Sequence, residues 1–165
     1  MGLYPCKLVS TQKRWKFTGA PLPGTITFRI RGNEIRMCGI AGFIGPWPGA
    51  LLDQMVASLR HRGPDGIGRH HDDPSGLGLG HTRLSIIDLS DAAAQPMAST
   101  DGRYVISYNG EIYNYQALRQ ELTQQGITFQ SDSDTEVLLH LFARDGLDCV
   151  HHLDGIFAFA VWDSQ

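Results

Sequence analysis

Lysine is absent from this 165-residue chain after residue 16, and all seven basic residues beyond Met37 are arginines. That region therefore offers no lysine for a Schiff base or a phosphate-binding P-loop. Cysteine is also scarce: Cys6, Cys38 and Cys149 are odd in number and far apart, which predicts no disulfide framework and a reducing, cytoplasmic compartment. No apolar run approaches the roughly 20 residues that a membrane-spanning helix needs, so we expect no membrane partner.

Acidic residues are almost missing from the start of the chain. Residues 1–36 contain seven basic residues and one acidic residue, whereas residues 37–165 contain seven basic and 16 acidic residues. The acidic main body argues against a nucleic-acid partner, which needs a basic face. The basic start is typical of a transit segment but lacks the apolar core of a secretory signal. We predict that residues 1–36 lie outside the fold and that residues 37–165 form the domain.

From residue 37 onward the patterns predict mixed strands and helices. Strands are expected in CGIAGFIG (38–45), GLGLGHTRLSIID (76–88) and GIFAFAVWD (155–163), and a helix in ALLDQMVASLR (50–60). RYVISYNGEIYN (103–114) is typical of two strands joined by a tight Asn-Gly turn. Asn114 is expected to cap a second helix, and a Ser133–Glu136 capping box to open a third. Because the last core strand ends so near Gln165, we expect a domain truncated at its C-terminus.

Five short motifs are spread along this region: MCGIAGF (37–43), LRHRGPDG (59–66), GHTRLSIIDL (80–89), YNGEIYNY (108–115) and SDTE (133–136). In order and wording they resemble the class II glutamine amidotransferase domain, an N-terminal-nucleophile hydrolase, and within it the asparagine synthetase branch. The resemblance covers Met37 to Trp162. It implies an α+β fold, a four-layer αββα sandwich of two sheets between helices, and hydrolysis of L-glutamine to glutamate and ammonia.

Cys38 on its own would be read as a small apolar residue. Releasing ammonia from a carboxamide requires a nucleophile, a base, an oxyanion site and a grip on the charged end of the substrate. A cysteine thiolate can attack the amide and form a thioester. If Cys38 were the first residue, its own α-amine, with an ordinary pKa of roughly 7.7–8.0, would accept the thiol proton.

The remaining site residues have a plain structural interpretation beside the functional one. Asn109 and Gly110 fit a simple hairpin turn, but the resemblance implies that they donate the N–H groups of an oxyanion hole. Arg83 fits a solvent-facing edge arginine, but by resemblance it binds the α-carboxylate of glutamine. Asp134 fits the positive end of its helix, but by resemblance it binds the α-ammonium. We expect four further residues to line the substrate site: Leu84, Ile86, Ile87 and Glu111.

Metal and cofactor sites are not expected in this domain. His70, His71, Asp72 and Asp73 include metal-ligand types, but DDPSG is typical of a solvated loop. In the asparagine synthetase family, ammonia passes to a C-terminal synthetase domain in which ATP and Mg²⁺ activate aspartate. No such domain is present here. Two alternatives remain open: a non-catalytic fragment, and an amidotransferase serving another acceptor.

Met37 and Cys38 are internal in the chain, which blocks the α-amine that the mechanism needs. Three explanations fit the sequence. Met37 is the true initiator and is trimmed, or the 36-residue extension is a removable propeptide or transit segment, or the extension persists and the protein is inactive. The abrupt start of the fold signals at Met37 favours the first explanation.

Overall fold

The structure is a computed structural model that describes residues 7–10, 25–26, 37–84 and 90–165. In these ranges the strands are β1 (Lys7–Ser10), β2 (Thr25–Ile26), β3 (Gly39–Ile44), β4 (Gly66–Asp72), β5 (Leu77–Arg83), β6 (Met97–Ala98), β7 (Tyr104–Ile112) and β8 (Gly155–Asp163). The α-helices are α1 (Gly49–Ser58), α2 (Tyr115–Gln124) and α3 (Asp134–Asp145), and 3₁₀ helices span Asp91–Ala93 and Gly146–His152. Within the described residues no helix is long and apolar enough to cross a membrane.

The strands form two antiparallel sheets. The first sheet has the order β1-β8-β7-β6, and the second has the order β2-β3-β5-β4. The long pairing of β7 with β8 runs from Tyr104 opposite Asp163 to Ile112 opposite Gly155. In the second sheet β5 is central, because both β3 and β4 pair along its whole length.

Hydrophobic packing divides the molecule into four layers. Helices α2 and α3 cover one face of the first sheet, where Ile106 and Phe159 meet Leu122 and Leu138. Helix α1 covers the outer face of the second sheet through Val56 and its neighbours. Between the sheets lies a third cluster, composed of Leu77, Leu79, Val105, Ala160 and Trp162. The α+β fold and the αββα layering expected from the sequence are therefore confirmed.

Helix α3 begins as the sequence predicted, with one change. The Ser133 hydroxyl accepts the N–H of Glu136 at 3.3 Å, which is half of a capping box. The Glu136 carboxylate bonds instead to the N–H groups of Gln130 and Ser131, at 2.8 and 2.7 Å. These bonds fix the loop that leads into α3, and so they fix the position of Asp134, its first residue.

The loop expected in DDPSG (72–76) is present as a turn at residues 73–76, whereas two other expectations about local structure are wrong. Residues 103–114 are not two strands with an Asn-Gly turn, because Asn109 and Gly110 lie inside the continuous strand β7. Asn114 does not cap α2 with its side chain, which instead bonds to His152 O and Asp154 N and ties the start of α2 to the segment before β8.

Two short segments of the first 36 residues join the sheets. Strand β1 pairs antiparallel with β8, and β2 pairs antiparallel with β3 at Phe43 and Gly42. Residues 1–36 are predicted to lie outside the fold, and these two pairings concern only Lys7–Ser10 and Thr25–Ile26 within that segment. Where the working protein begins is a separate matter, and a start at Cys38 stays a prediction.

Candidate active site

Cys38 lies immediately before β3, on the side that faces the other sheet. Successive side chains along a strand point to opposite faces of the sheet. The side chain of Phe43 packs on α1, so Cys38, an odd number of residues away, faces away from α1 and toward the first sheet. The pairing of β3 with β5 brings Cys38 close to the end of β5, since Gly39 pairs with Thr82 and its N–H donates to the Thr82 hydroxyl at 3.1 Å. Cys38 is thus placed at the end of β5 that carries Arg83.

The thiol of Cys38 is held by backbone groups. The Leu84 N–H donates to Sγ at 3.3 Å, and Sγ lies 3.6 Å from the Leu84 oxygen. Burial raises the pKa of the thiol, while the Leu84 N–H and the charge of Arg83 lower it. Because burial has the largest effect, the thiol needs a nearby base before it can attack a substrate. By contrast, Cys149 sits in the core, where burial raises its pKa to about 11, and it has no role in this site.

Arg62 contacts Cys38 directly, which the sequence did not indicate. Its Nε donates to the backbone oxygen of Cys38 at 3.2 Å. Arg62 ends the turn at residues 59–62, within the motif LRHRGPDG. The bond fixes the main chain of Cys38, while the Leu84 N–H holds its sulfur.

The N–H groups along one edge of β7 have different partners. In an antiparallel strand, alternate residues direct their N–H groups to the same edge. The N–H of Tyr108 donates to Gln95 Oε1 at 2.6 Å, and that of Ile112 donates to Asp134 Oδ2 at 3.1 Å. The N–H of Gly110 lies between them on this edge, beyond the end of β6, where a bound oxyanion can accept it.

Asn109 directs its side chain toward the second sheet. Its Oδ1 atom is buried and has no hydrogen-bond partner among the described residues. Buried polar atoms are normally paired, so this end of the Asn109 amide is open to a hydrogen-bond partner outside the described residues. The amide can be turned either way, and in the other orientation its N–H points into the same space. This fits the oxyanion role predicted for Asn109, which stays a prediction.

Asp134 is buried at the N-terminus of α3, beside the same strand. Its Oδ2 accepts the Tyr108 hydroxyl at 2.7 Å and the Ile112 N–H at 3.1 Å. Burial raises the pKa of the carboxyl, and these two hydrogen bonds lower it. The negative charge of Asp134 raises the pKa of the Cys38 thiol, which places the two residues in one electrostatic environment.

Arg83 ends strand β5 and is half-buried. Its Nη1 donates to the backbone oxygen of Ser90 at 3.0 Å. Leu84 contacts Cys38 through the hydrogen bond described above. Glu111 is an exposed residue near the end of β7, and its charge raises the pKa of Tyr108. Ile86 and Ile87 lie outside the described residues.

Three buried side chains that the sequence did not single out support this site: Gln95, His81 and Ser107. Gln95 links β7 to α3, because its Oε1 accepts the Tyr108 N–H and its Nε2 donates to the Thr135 hydroxyl at 3.0 Å. His81 Nε2 donates to the Tyr108 oxygen at 3.1 Å, and Ser107 Oγ donates to Gly80 O at the same distance. These cross-sheet bonds place Asn109 over the end of β5 that carries Arg83.

The arrangement provides a thiol, N–H donors, a cation and a buried carboxylate, with no metal cluster. In the described part of the chain, no three His, Cys, Asp or Glu side chains are grouped to hold a metal ion. Such a set suits acyl transfer from an amide whose far end carries both an ammonium and a carboxylate.

Comparison with known proteins identifies the class. Residues 37–165 match the family model described as "Glutamine amidotransferase domain", and the chain belongs to this family. Asparagine synthetase [glutamine-hydrolyzing] 3 of Bacillus subtilis is 44% identical over 139 residues, covering 78% of this chain and 22% of that protein. "Amidase chry2" of Gibberella zeae is 38% identical over 144 residues, covering 78% of this chain and 21% of that protein.

A solved structure is also similar to part of the chain. It is the glutamine phosphoribosylpyrophosphate amidotransferase of B. subtilis complexed with ADP and GMP, at a TM-score of 0.47 and 30% identity, covering 54% of this chain and 21% of that one. The present chain spans about a fifth of the length of the curated relatives named above.

Proposed function

We propose that this chain hydrolyses L-glutamine to glutamate and ammonia, with Cys38 as the nucleophile. The observation that carries the proposal is that the Leu84 N–H, next to Arg83, holds the Cys38 sulfur at 3.3 Å within a domain, residues 37–165, that matches the glutamine amidotransferase family. A substrate whose α-carboxylate meets Arg83 and whose α-ammonium meets Asp134 is an amino acid, and the thiol then faces its side chain.

The reaction begins when the Cys38 sulfur bonds to the side-chain carbonyl carbon of glutamine. The thiol proton moves to the free α-amine of Cys38 and then to the departing nitrogen, which leaves as ammonia. The N–H groups of Asn109 and Gly110 would stabilise the negative oxygen of the tetrahedral intermediate. Water then attacks the thioester, and glutamate leaves with the regenerated thiol. Because an amide nitrogen is not a base near neutral pH, this route requires Cys38 to be the first residue.

The acceptor of the ammonia is proposed from the relatives. Similarity to glutamine-hydrolysing asparagine synthetases favours delivery to a synthetase domain in the same polypeptide, which would use ATP and Mg²⁺ to convert aspartate to asparagine. The related "Amidase chry2" keeps a second acceptor chemistry open. A cytoplasmic location remains a prediction from the cysteine usage.

The experiment is a glutaminase assay on protein that starts at Cys38. Glutamate and ammonia should appear in equal amounts, and Cys38→Ala should abolish both. A matched control is Cys149→Ala, because Cys149 is a core thiol outside the site and its variant should keep the activity. Equal ammonia release by the parent and by Cys38→Ala would overturn the proposal and leave the non-catalytic alternative.

A further inference from the structure

Tyr108 has three polar groups, and each is bound by a different part of the fold. Its N–H donates to Oε1 of Gln95 at 2.6 Å, its oxygen accepts from Nε2 of His81 at 3.1 Å, and its hydroxyl donates to Oδ2 of Asp134 at 2.7 Å. All four residues are buried. Tyr108 therefore cannot shift without losing bonds to the loop before β6, to β5 and to α3.

The carboxylate that receives the phenol is the one expected to receive the substrate. The Tyr108 hydroxyl and the Ile112 N–H both bind Oδ2, and hydrogen bonds from the backbone N–H groups of Asp134 and Thr135 also favour the charged carboxylate, to which an ammonium would be a further donor. Both of these donors bind Oδ2, which fixes the plane of the Asp134 carboxyl group. The phenol is thus the one side-chain donor, among backbone N–H groups, that helps to set the direction of the remaining lone pairs.

We propose that Tyr108 is a positioning residue for substrate recognition: its hydroxyl orients the Asp134 carboxylate toward the α-ammonium of the amino-acid substrate. This rests on the proposed function, because it assigns the ammonium of glutamine to Asp134. Tyr108 touches no reacting atom, and it acts through Asp134 alone.

The charge states agree with this role. Burial and the adjacent Asp134 carboxylate raise the pKa of the Tyr108 phenol, so it stays a neutral donor. Burial raises the pKa of Asp134, and the phenol opposes that rise. Removing the hydroxyl therefore takes away a hydrogen bond that orients the Asp134 carboxylate. It also raises the pKa of this carboxyl group further, which favours the neutral form, and the neutral form attracts an ammonium less.

Two ligands separate this role from a general packing effect. Glutamine carries the α-ammonium, whereas 4-carbamoylbutanoate has the same carboxamide and carboxylate but no amine. Binding of each is measured by calorimetry in a Cys38→Ala background of the natural protein, which prevents turnover. Tyr108→Phe should weaken glutamine binding about 10-fold and leave 4-carbamoylbutanoate binding within about 2-fold, since only one charge-assisted contact is lost.

Tyr104→Phe is the matched control. Tyr104 lies four residues earlier on the same face of β7, and its ring packs against Phe142, so its variant removes a hydroxyl without touching Asp134. It should bind both ligands as the parent does. Adding Tyr108→Phe to Asp134→Asn should cause no further loss of glutamine affinity, because both changes disable the same group.

The outcomes distinguish this inference from the proposed function. Equal weakening of both ligands by Tyr108→Phe, no weakening of either, or an additive loss with Asp134→Asn would overturn the role of Tyr108. If the expected binding pattern appears but the parent protein hydrolyses no glutamine, the binding role stands and the proposed reaction fails. Failure to bind either ligand would overturn both.

Discussion

The backbone nitrogen of Leu84 lies 3.3 Å from Sγ of Cys38, so the residue after Arg83 holds the thiol. The cation at the end of β5 and the thiol before β3 are therefore fixed relative to each other by the main chain. A flexible side chain is not needed to bring them together. The proposed roles of Cys38, Asn109 and Arg83 can therefore be tested one at a time.

The first prediction concerns Asn109. Asn109→Ala should lower kcat for glutamine about 10²–10³-fold with little change in KM, since an oxyanion donor acts mainly in the transition state. Asn109→Asp keeps the shape but cannot donate, and should be similarly impaired. Steady-state kinetics measure both. A variant that changes only KM would show that Asn109 binds the ground state and is not an oxyanion donor.

The second prediction concerns Arg83. Arg83→Lys should raise KM for glutamine about 10-fold or more, because the bidentate fork to the α-carboxylate is lost. The compound 4-aminobutanamide lacks that carboxylate, and its weak turnover should hardly change. Arg103→Lys is a matched control, since Arg103 pairs with Asp163 away from the site. Equal losses on both substrates would contradict carboxylate recognition by Arg83.

The third prediction concerns the close approach of β7 and β8 at Gly110. A Cβ there would meet Ile156 O at 2.4 Å and Phe157 Cα at 2.6 Å, both of which are backbone atoms. Gly110→Ala should therefore lower the free energy of unfolding by about 2 kcal/mol or more. At Gly49, a Cβ would make an ordinary 3.5 Å contact with His71. Gly49→Ala should stay within about 0.5 kcal/mol of the parent in urea unfolding. Equal free energies of unfolding for Gly110→Ala and Gly49→Ala would contradict the close approach of β8 to Gly110.

The fourth prediction concerns acid stability. Burial lowers the pKa of His81 from 6.5 to about 4, so the unfolded chain binds more protons than the folded one between these values. Stability that is present above pH 6.5 should be lost as the pH falls toward 4, by about 3 kcal/mol for this residue. His81→Gln removes the titration and can still donate to Tyr108 O. In urea unfolding between pH 4 and 7, the free energy of unfolding should fall less steeply with decreasing pH for His81→Gln than for the parent. Parallel pH dependences would contradict the lowered pKa of His81.

The sequence predicted the elements that local pattern controls. The apolar face of α1, the Ser133 cap and the continuous apolar run of β8 are all present in the structure. The Asn-Gly turn was wrong because Gly110 serves the close approach of β8 at Ile156, and its φ is not positive. The dipeptide signal assumes a backbone conformation that this strand does not adopt.

The supporting contacts of the site could not be predicted from the sequence. Gln95, His81 and Asp134 reach Tyr108 across separations of 13, 27 and 26 residues. No local pattern marks such contacts, since they depend on how two sheets and a helix end are stacked. The motifs indicated Cys38, Arg83, Asn109 and Asp134 through resemblance, and the roles of these residues remain predictions.

The free amine of Cys38 is the central claim. One preparation of the natural protein should be divided between an intact-mass measurement and a glutaminase assay. We expect active protein to have the mass of a chain that starts at Cys38, because only then can the α-amine accept the thiol proton. Active glutaminase that retains Met1, or any residue before Cys38, would contradict the account.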